Sequence, residues 1–227
     1  MDRDQKKALL SYLQEFITEE RQTLFEKVLS QRTRHIAVVL EDIYQSHNAS
    51  AVLRTCDLTG IQDVHIIENR NEFNVNPDVA LGSSKWLNLI RYNEEKNSTA
   101  AVYKSLKAQG YRIIATTPHK NDFTPENIPL EGKMAIVLGT ELNGLTGEAI
   151  EMADEHLRIP MYGFTESFNI SVSAALILYT LSKRLRTSAI NWSLTEEEKT
   201  DILLEWSRRS IKKSEVIERE FFRKLKS

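Results

Sequence analysis

The sequence predicts an α/β domain on a mostly parallel sheet with helices on both faces, flanked by a helical extension at each end. Three observations carry this. Runs such as IAVVL at 36–40 and MAIVL at 134–138 are apolar without alternation, as strands buried on both faces are. Segments of helical period separate the runs. Gly60 and Gly110 stand where two of those helices would end.

In order along the chain, residues 3–30 predict one helix, because Leu9, Leu10, Leu13, Phe16 and Ile17, then Leu24, Phe25, Val28 and Leu29, recur at spacings of three and four. IAVVL is the first strand. Ser46 or Asn48 caps a helix that Gly60 closes. DVHII at 63–67 is the second strand and WLNLIRY at 86–92 the third. A helix over 98–109 leads to YRIIATT at 111–117, the fourth. MAIVL is the fifth, and GTELNGLT opens a short helix. Residues 157–159 form the sixth, ended by Pro160, which lacks an amide donor. A turn through Gly163 follows, and Ser167 or Asn169 caps a long helix that is apolar almost all round from Ala174. That helix is read as going inside. Residues 195–226 repeat the helical period, with Thr195 followed by Glu196, Glu197 and Glu198 as a capped start. The domain boundaries are 1–35, 36–188 and 189–227.

Composition narrows the class. The chain has 227 residues, 41% hydrophobic, with 8 Gly and 5 Pro, which suits one sizeable α/β domain with helical additions. The single cysteine, Cys56, excludes an internal disulfide framework and is read as core packing in a reducing compartment. No signal peptide or apolar stretch of about 18 residues is seen, so a cytoplasmic protein without a membrane partner is expected. Residues 1–36 carry a net +1 and residues 207–227 a net +5, which leaves −8 for the middle of a chain whose total is −2. Basic ends beside an acidic centre suit contact with a polyanion, or simply a solvated helix face.

Ligands of an α/β sheet bind beyond the carboxyl ends of its strands. Four loops qualify: those with His47, Asn48 and Arg54; with Thr116, Thr117 and His119; with Gly139, Glu141 and Asn143; and 161–169. GTELNGLT has the glycine spacing of a phosphate loop, but Leu145 stands where its lysine belongs. No G-x-G-x-x-G follows the first strand, and the His and Cys residues lack metal-ligand spacing.

Three segments in order, HNASAVLRT, IVLGTELNGLT and LRIPMYGFTESFNISVSAALILY, resemble the motifs of the SpoU/TrmH family of SPOUT RNA 2′-O-methyltransferases. The resemblance spans about residues 20–190. Within the family, ERQTLFEKVLSQRT and the short N-terminal region are most similar to the members that methylate guanosine 18 in the tRNA D-loop. Ribosomal RNA is the alternative substrate, and a non-catalytic RNA-binding module a further alternative. The resemblance implies a deep C-terminal trefoil knot, S-adenosylmethionine as cofactor, tRNA as partner and a homodimer whose sites are completed by the neighbouring subunit; no DNA or metal is expected.

The same resemblance distributes roles. Arg54 matches the catalytic arginine; since a guanidinium titrates above about 12, its part is to orient phosphate and nucleophile. The competing reading is a surface arginine in a salt bridge. Asn48 would brace Arg54 or merely cap a helix, and Glu141 would anchor Arg54 or act as a helix-start acid. Ser167 and Asn169 are the polar pair of the third motif. Thr116, Leu138, Gly139, Ile159, Met161 and Phe168 would contact cofactor, Gly139 by letting backbone approach. Arg21, Arg32, Arg34, Lys85, Arg208 and Arg209 are expected to grip RNA phosphates. His47 is read as exposed or structural.

Overall fold

A computed structural model describes residues 1–93, 98–120, 122–140 and 143–225. The chain forms two compact units: Thr33–Trp192, and Met1–Arg32 together with the chain from Ser193 onward. The two terminal segments, read from sequence as separate extensions, thus make one helical body.

In that body α1 (Arg3–Gln14) and α2 (Glu19–Leu29) replace the single helix expected over 3–30. The apolar spacing runs on through Phe16 and Ile17, but the Thr18 hydroxyl accepts from the Arg21 amide at 3.3 Å and starts a new helix. Thr195 and Glu198 form a capping box at the head of α8 (Glu196–Ser210), and α9 (Ser214–Lys224) follows. α1 packs on α8 and α9, burying Leu9 and Leu13 against Leu204 and Phe221.

The larger unit holds six strands: β1 (Ile36–Glu41), β2 (Asp63–Ile67), β3 (Asn88–Tyr92), β4 (Tyr111–Thr116), β5 (Lys133–Leu138) and β6 (Glu155–Leu157). Their order is β3-β2-β1-β5-β4-β6 and every pairing is parallel. Each strand sends alternate residues to opposite faces. Ile36, Val38 and Leu40 join a core with α3 (Ser46–Thr59) and α7 (Ile170–Thr187). Ala37 and Val39 face the other way, towards α5 (Ser98–Ala108) and α6 (Gly147–Glu151). Both faces are therefore covered, and unbroken apolar runs are what such strands need. α4 (Pro77–Ala80) is a single turn before β3.

Three sequence expectations shift. β3 begins at Asn88, because 83–86 closes a tight turn in which the Trp86 amide bonds Ser83 O at 2.9 Å. β6 lies two residues earlier than 157–159. Beyond Leu157 the chain turns to another partner, with Arg158 N donating to Phe123 O at 2.9 Å. α7 is apolar in sequence but one-sided in place: Ala174, Ile177, Leu178 and Leu181 are buried, while Val172, Leu176 and Tyr179 are exposed. Its Arg184 donates to Pro125 O at 2.6 Å and Ile128 O at 2.9 Å, fastening α7 to the loop after β4. No helix among the described residues is long and apolar enough to cross a membrane.

Candidate active site

β5 lies between β1 and β4, so the loops leaving these three strands meet at one end of the sheet. The loop after β5 doubles back at once. Thr140 N bonds Gly144 O and Gly144 N bonds Thr140 O, each at 3.0 Å. The return requires Gly139, since a Cβ there would lie 2.3 Å from the Gly144 carbonyl carbon. The glycine therefore makes room for the loop's own backbone, a different reason from the close cofactor approach expected of it.

The fold-back leaves a cavity of about 250 Å³. Leu138, Leu145, Ile150 and Ile170 give it apolar walls, with Thr116, Thr117 and Ser167 as polar rim. An adjoining recess of about 80 Å³ takes Leu157, Ile159 and Met161 as lining and shares Thr116, Ser167 and Phe168 with the first. All six residues expected to contact cofactor thus line one recess or both. Thr116 also has a structural bond, its hydroxyl donating to Val137 O at 2.7 Å.

The first and third motifs are joined by their amides. Asn169 Nδ2 donates to Asn48 Oδ1 at 3.2 Å, across 121 positions of sequence. Asn48 in turn donates to Gln45 Oε1 at 2.9 Å. Asn169 Oδ1 accepts from the Ser171 amide at 2.8 Å, which makes Asn169, rather than Ser167, the cap of α7. At α3 the cap position is Gln45, with no side-chain bond, so neither Ser46 nor Asn48 serves there. Arg54 is exposed on α3, lines neither recess, and makes no hydrogen bond or ion pair among the described residues. The salt-bridge reading of it finds no support there. Glu141 lies outside the described residues.

Sequence reasoning passed over the group that ties these loops together. Glu41, 1% exposed at the end of β1, accepts from the Thr146 hydroxyl at 2.8 Å, the Thr146 amide at 2.9 Å and the Thr99 hydroxyl at 2.8 Å. Thr146 caps α6, so one buried carboxylate joins β1 to the far side of the Gly139 loop. The available signal was an acid continuing an apolar run of five.

The expected RNA-gripping residues divide. Arg21, Lys85 and Arg209 are exposed. Arg32 is 1% exposed, its guanidinium 5.5 Å from the Trp206 ring centroid, and is packed inside the helical unit. Arg34 pairs with Asp63 at 3.0 Å. Arg208 sits between Glu205 at 2.6 Å and Glu218 at 2.7 Å, and Arg223 pairs with Glu220 at 2.8 Å. Arg208 and Arg223 are therefore paired with carboxylates, while the tail as a whole keeps its net +5. Cys56 is buried in the core, as expected.

Residues 35–179 match the SpoU rRNA Methylase family. The chain belongs to this family. It is 46% identical over 218 residues to a tRNA (guanosine(18)-2'-O)-methyltransferase of Borreliella burgdorferi, covering 96% of this chain and 98% of that one. The solved A. aeolicus TrmH/SpoU tRNA modifying enzyme superposes with a TM-score of 0.76 at 29% identity, over 86% of this chain and 98% of that chain. The SpoU methyltransferase AviRb from Streptomyces viridochromogenes, solved in complex with the cofactor AdoMet, shares the fold. Its TM-score is 0.59 at 18% identity, over 71% of this chain and 62% of that one. Membership of the family implies a knotted C-terminal part.

The residues around Gly139 fit that cofactor. An apolar slot with polar groups at its rim suits a molecule joining an aromatic base to a charged amino acid. Here the slot is made by Leu138, Leu145, Ile170 and Phe168, and the rim by Thr116, Thr117 and Ser167.

Proposed function

We propose that this chain methylates the ribose 2′-oxygen of guanosine 18 in tRNA, using S-adenosylmethionine, as a homodimer in the cytoplasm. The observation that carries the reading is the Asn169–Asn48 bond, which places the helix of Arg54 against the loop that walls the cofactor cavity. When bound, S-adenosylmethionine supplies a methyl group on a sulfonium that is already a good electrophile. The chain's work is therefore positional. Leu138, Leu145, Ile170 and Phe168 would hold the apolar part of the cofactor, and Thr116 and Ser167 would offer it polar partners. Asn48 and Asn169 fix α3 against the third motif. Arg54 orients a substrate phosphate and the 2′-hydroxyl, and the hydroxyl proton passes to that phosphate and on to water, since a guanidinium does not accept it. Glu141 retains its expected part as anchor of Arg54 or of its loop.

The exposure of Arg54 away from both recesses supports a site finished by a second copy. Leu58, one turn beyond Arg54, is exposed, as are Val172, Leu176 and Tyr179 on α7, which packs against α3. Two packed helices offering apolar surface suit an isologous interface. Arg21, Lys85 and Arg209 remain the cations offered to RNA.

The test is incubation of the protein with labelled S-adenosylmethionine and unmodified tRNA, followed by nucleoside analysis and mapping. Label in 2′-O-methylguanosine at position 18 is expected. Label in ribosomal RNA alone, or none in either RNA, defeats the reading.

A further inference from the structure

Beside the first turn of α3 lies a further cleft of about 590 Å³. It is walled by the loops after β1 and β2, with Tyr44, His47, Arg70, Asn71 and Glu72 among its lining. None of these residues lines the recesses around Gly139. Resting on the methyltransferase reading above, we infer that this cleft holds an unpaired nucleotide of the RNA strand next to the target, with its base stacked on Tyr44 and its phosphate on Arg70.

The ring of Tyr44 is 74% exposed and, among the described residues, has no aromatic or cation partner. An aromatic ring standing in water on a loop offers a face on which a base can stack. Arg70 is exposed, and its guanidinium makes no ion pair among the described residues. Glu72, exposed at the same wall, adds an acceptor suited to base edges.

The cleft is also built to hold its shape. Asp42 is buried, with φ 52°, a backbone angle that side-chain-bearing residues rarely adopt. Its carboxylate accepts from the Arg70 amide at 2.7 Å, and Asn71 Nδ2 returns a bond to Asp42 O at 2.9 Å. On the same stretch Asn76 N bonds Ser50 Oγ at 2.7 Å. The two loops are thus one rigid shelf. Its wall residue His47 precedes Arg54 by seven positions on α3, about 10 Å along the helix axis. That span suits neighbouring nucleotides of one strand.

Tyr44→Ala, Tyr44→Phe and Arg70→Ala are to be compared with wild type for tRNA KM, for S-adenosylmethionine affinity by calorimetry, and for binding of a labelled single-stranded RNA pentanucleotide. Tyr44→Ala is expected to raise the tRNA KM and weaken the oligonucleotide about tenfold or more, with cofactor affinity within twofold; Tyr44→Phe restores both. Arg70→Ala weakens RNA and flattens the salt dependence of its binding. Unchanged RNA binding by Tyr44→Ala overturns the inference, as does a fall in its solution mass, which would put the ring at an interface between copies. A wild type that binds the oligonucleotide through Tyr44 yet does not methylate tRNA would defeat the activity and keep the subsite.

Discussion

Replacing Gly139 with Ala tests the cofactor site at its narrowest point. The backbone at 139 is not in the left-handed region, so the whole effect comes from contact. The new Cβ would meet Gly144 C and O at 2.3 Å and Leu145 N at 2.4 Å, all backbone atoms. Reaching even a tight 3.0 Å needs a displacement of about 0.7 Å. A shift of that size breaks the paired Thr140–Gly144 bonds, each worth about 0.5–1.5 kcal/mol. Overpacking adds about 1–3 kcal/mol, so the loop is expected to lose about 2–6 kcal/mol in all. Leu145 moves with it, and with Leu145 one wall of the cavity. Calorimetry with S-adenosylmethionine is expected to show affinity down about 30-fold or more, which corresponds to roughly 2 kcal/mol. Gly147→Ala is the control: nothing lies within 4 Å of its Cβ position, at the first residue of α6. It should bind cofactor as wild type does. A Gly139→Ala protein that binds S-adenosylmethionine with wild-type affinity and melts at the wild-type temperature would refute the account of the fold-back.

Glu41→Gln should destabilise by about 1–3 kcal/mol in urea titrations, because an amide N–H₂ must face groups that donate to the carboxylate; a neutral result would remove Glu41 as the tie between β1 and the Gly139 loop. Arg54→Ala should abolish methyl incorporation while leaving cofactor affinity within a few fold, since Arg54 lines neither recess; loss of cofactor binding would contradict its assignment. Burial pushes His65 below the ordinary imidazole range, against a smaller upward pull from Asp63. The unfolded chain therefore takes up the proton first. Stability should fall as pH drops below about 6.5, and level off below the folded pKa. Melting curves of wild type and His65→Gln across that window should diverge, and parallel curves would show that His65 is not the group responsible.

The strands were readable because burial on both faces writes itself as an unbroken apolar run; IAVVL needs no partner to be recognised. β6 was misplaced for the opposite reason. Residues 155–157 and 157–159 are equally plausible as strand, and only the position of Phe123 decides where pairing stops. The division of α1 from α2 was hidden because apolar residues keep helical spacing through 16–17, while the Thr18 cap is a local bond that overrides them. At the site, the three motifs told which loops matter. They did not show why Gly139 is glycine, that Asn48 meets Asn169, or that Glu41 binds Thr146, because each depends on a residue far away in sequence. Arg32 and Arg208 illustrate the limit for charge. Their number is in the sequence, but whether a guanidinium faces water or a carboxylate is settled by packing.

The pairing of α1 with α8 and α9 bears on how the protein is made. Leu13 and its partner Leu204 stand about 190 residues apart, and synthesis proceeds at about 5–20 residues per second. α1 therefore waits roughly 10–40 seconds for the surface that covers it. During that interval Leu9 and Leu13 have no native cover from α8 and α9, and the helix rests on its own backbone bonds and the capping box of Asp2 and Gln5. A chain cut short before α8 would leave this stripe bare for good, a mark by which quality control can tell an unfinished product from a finished one.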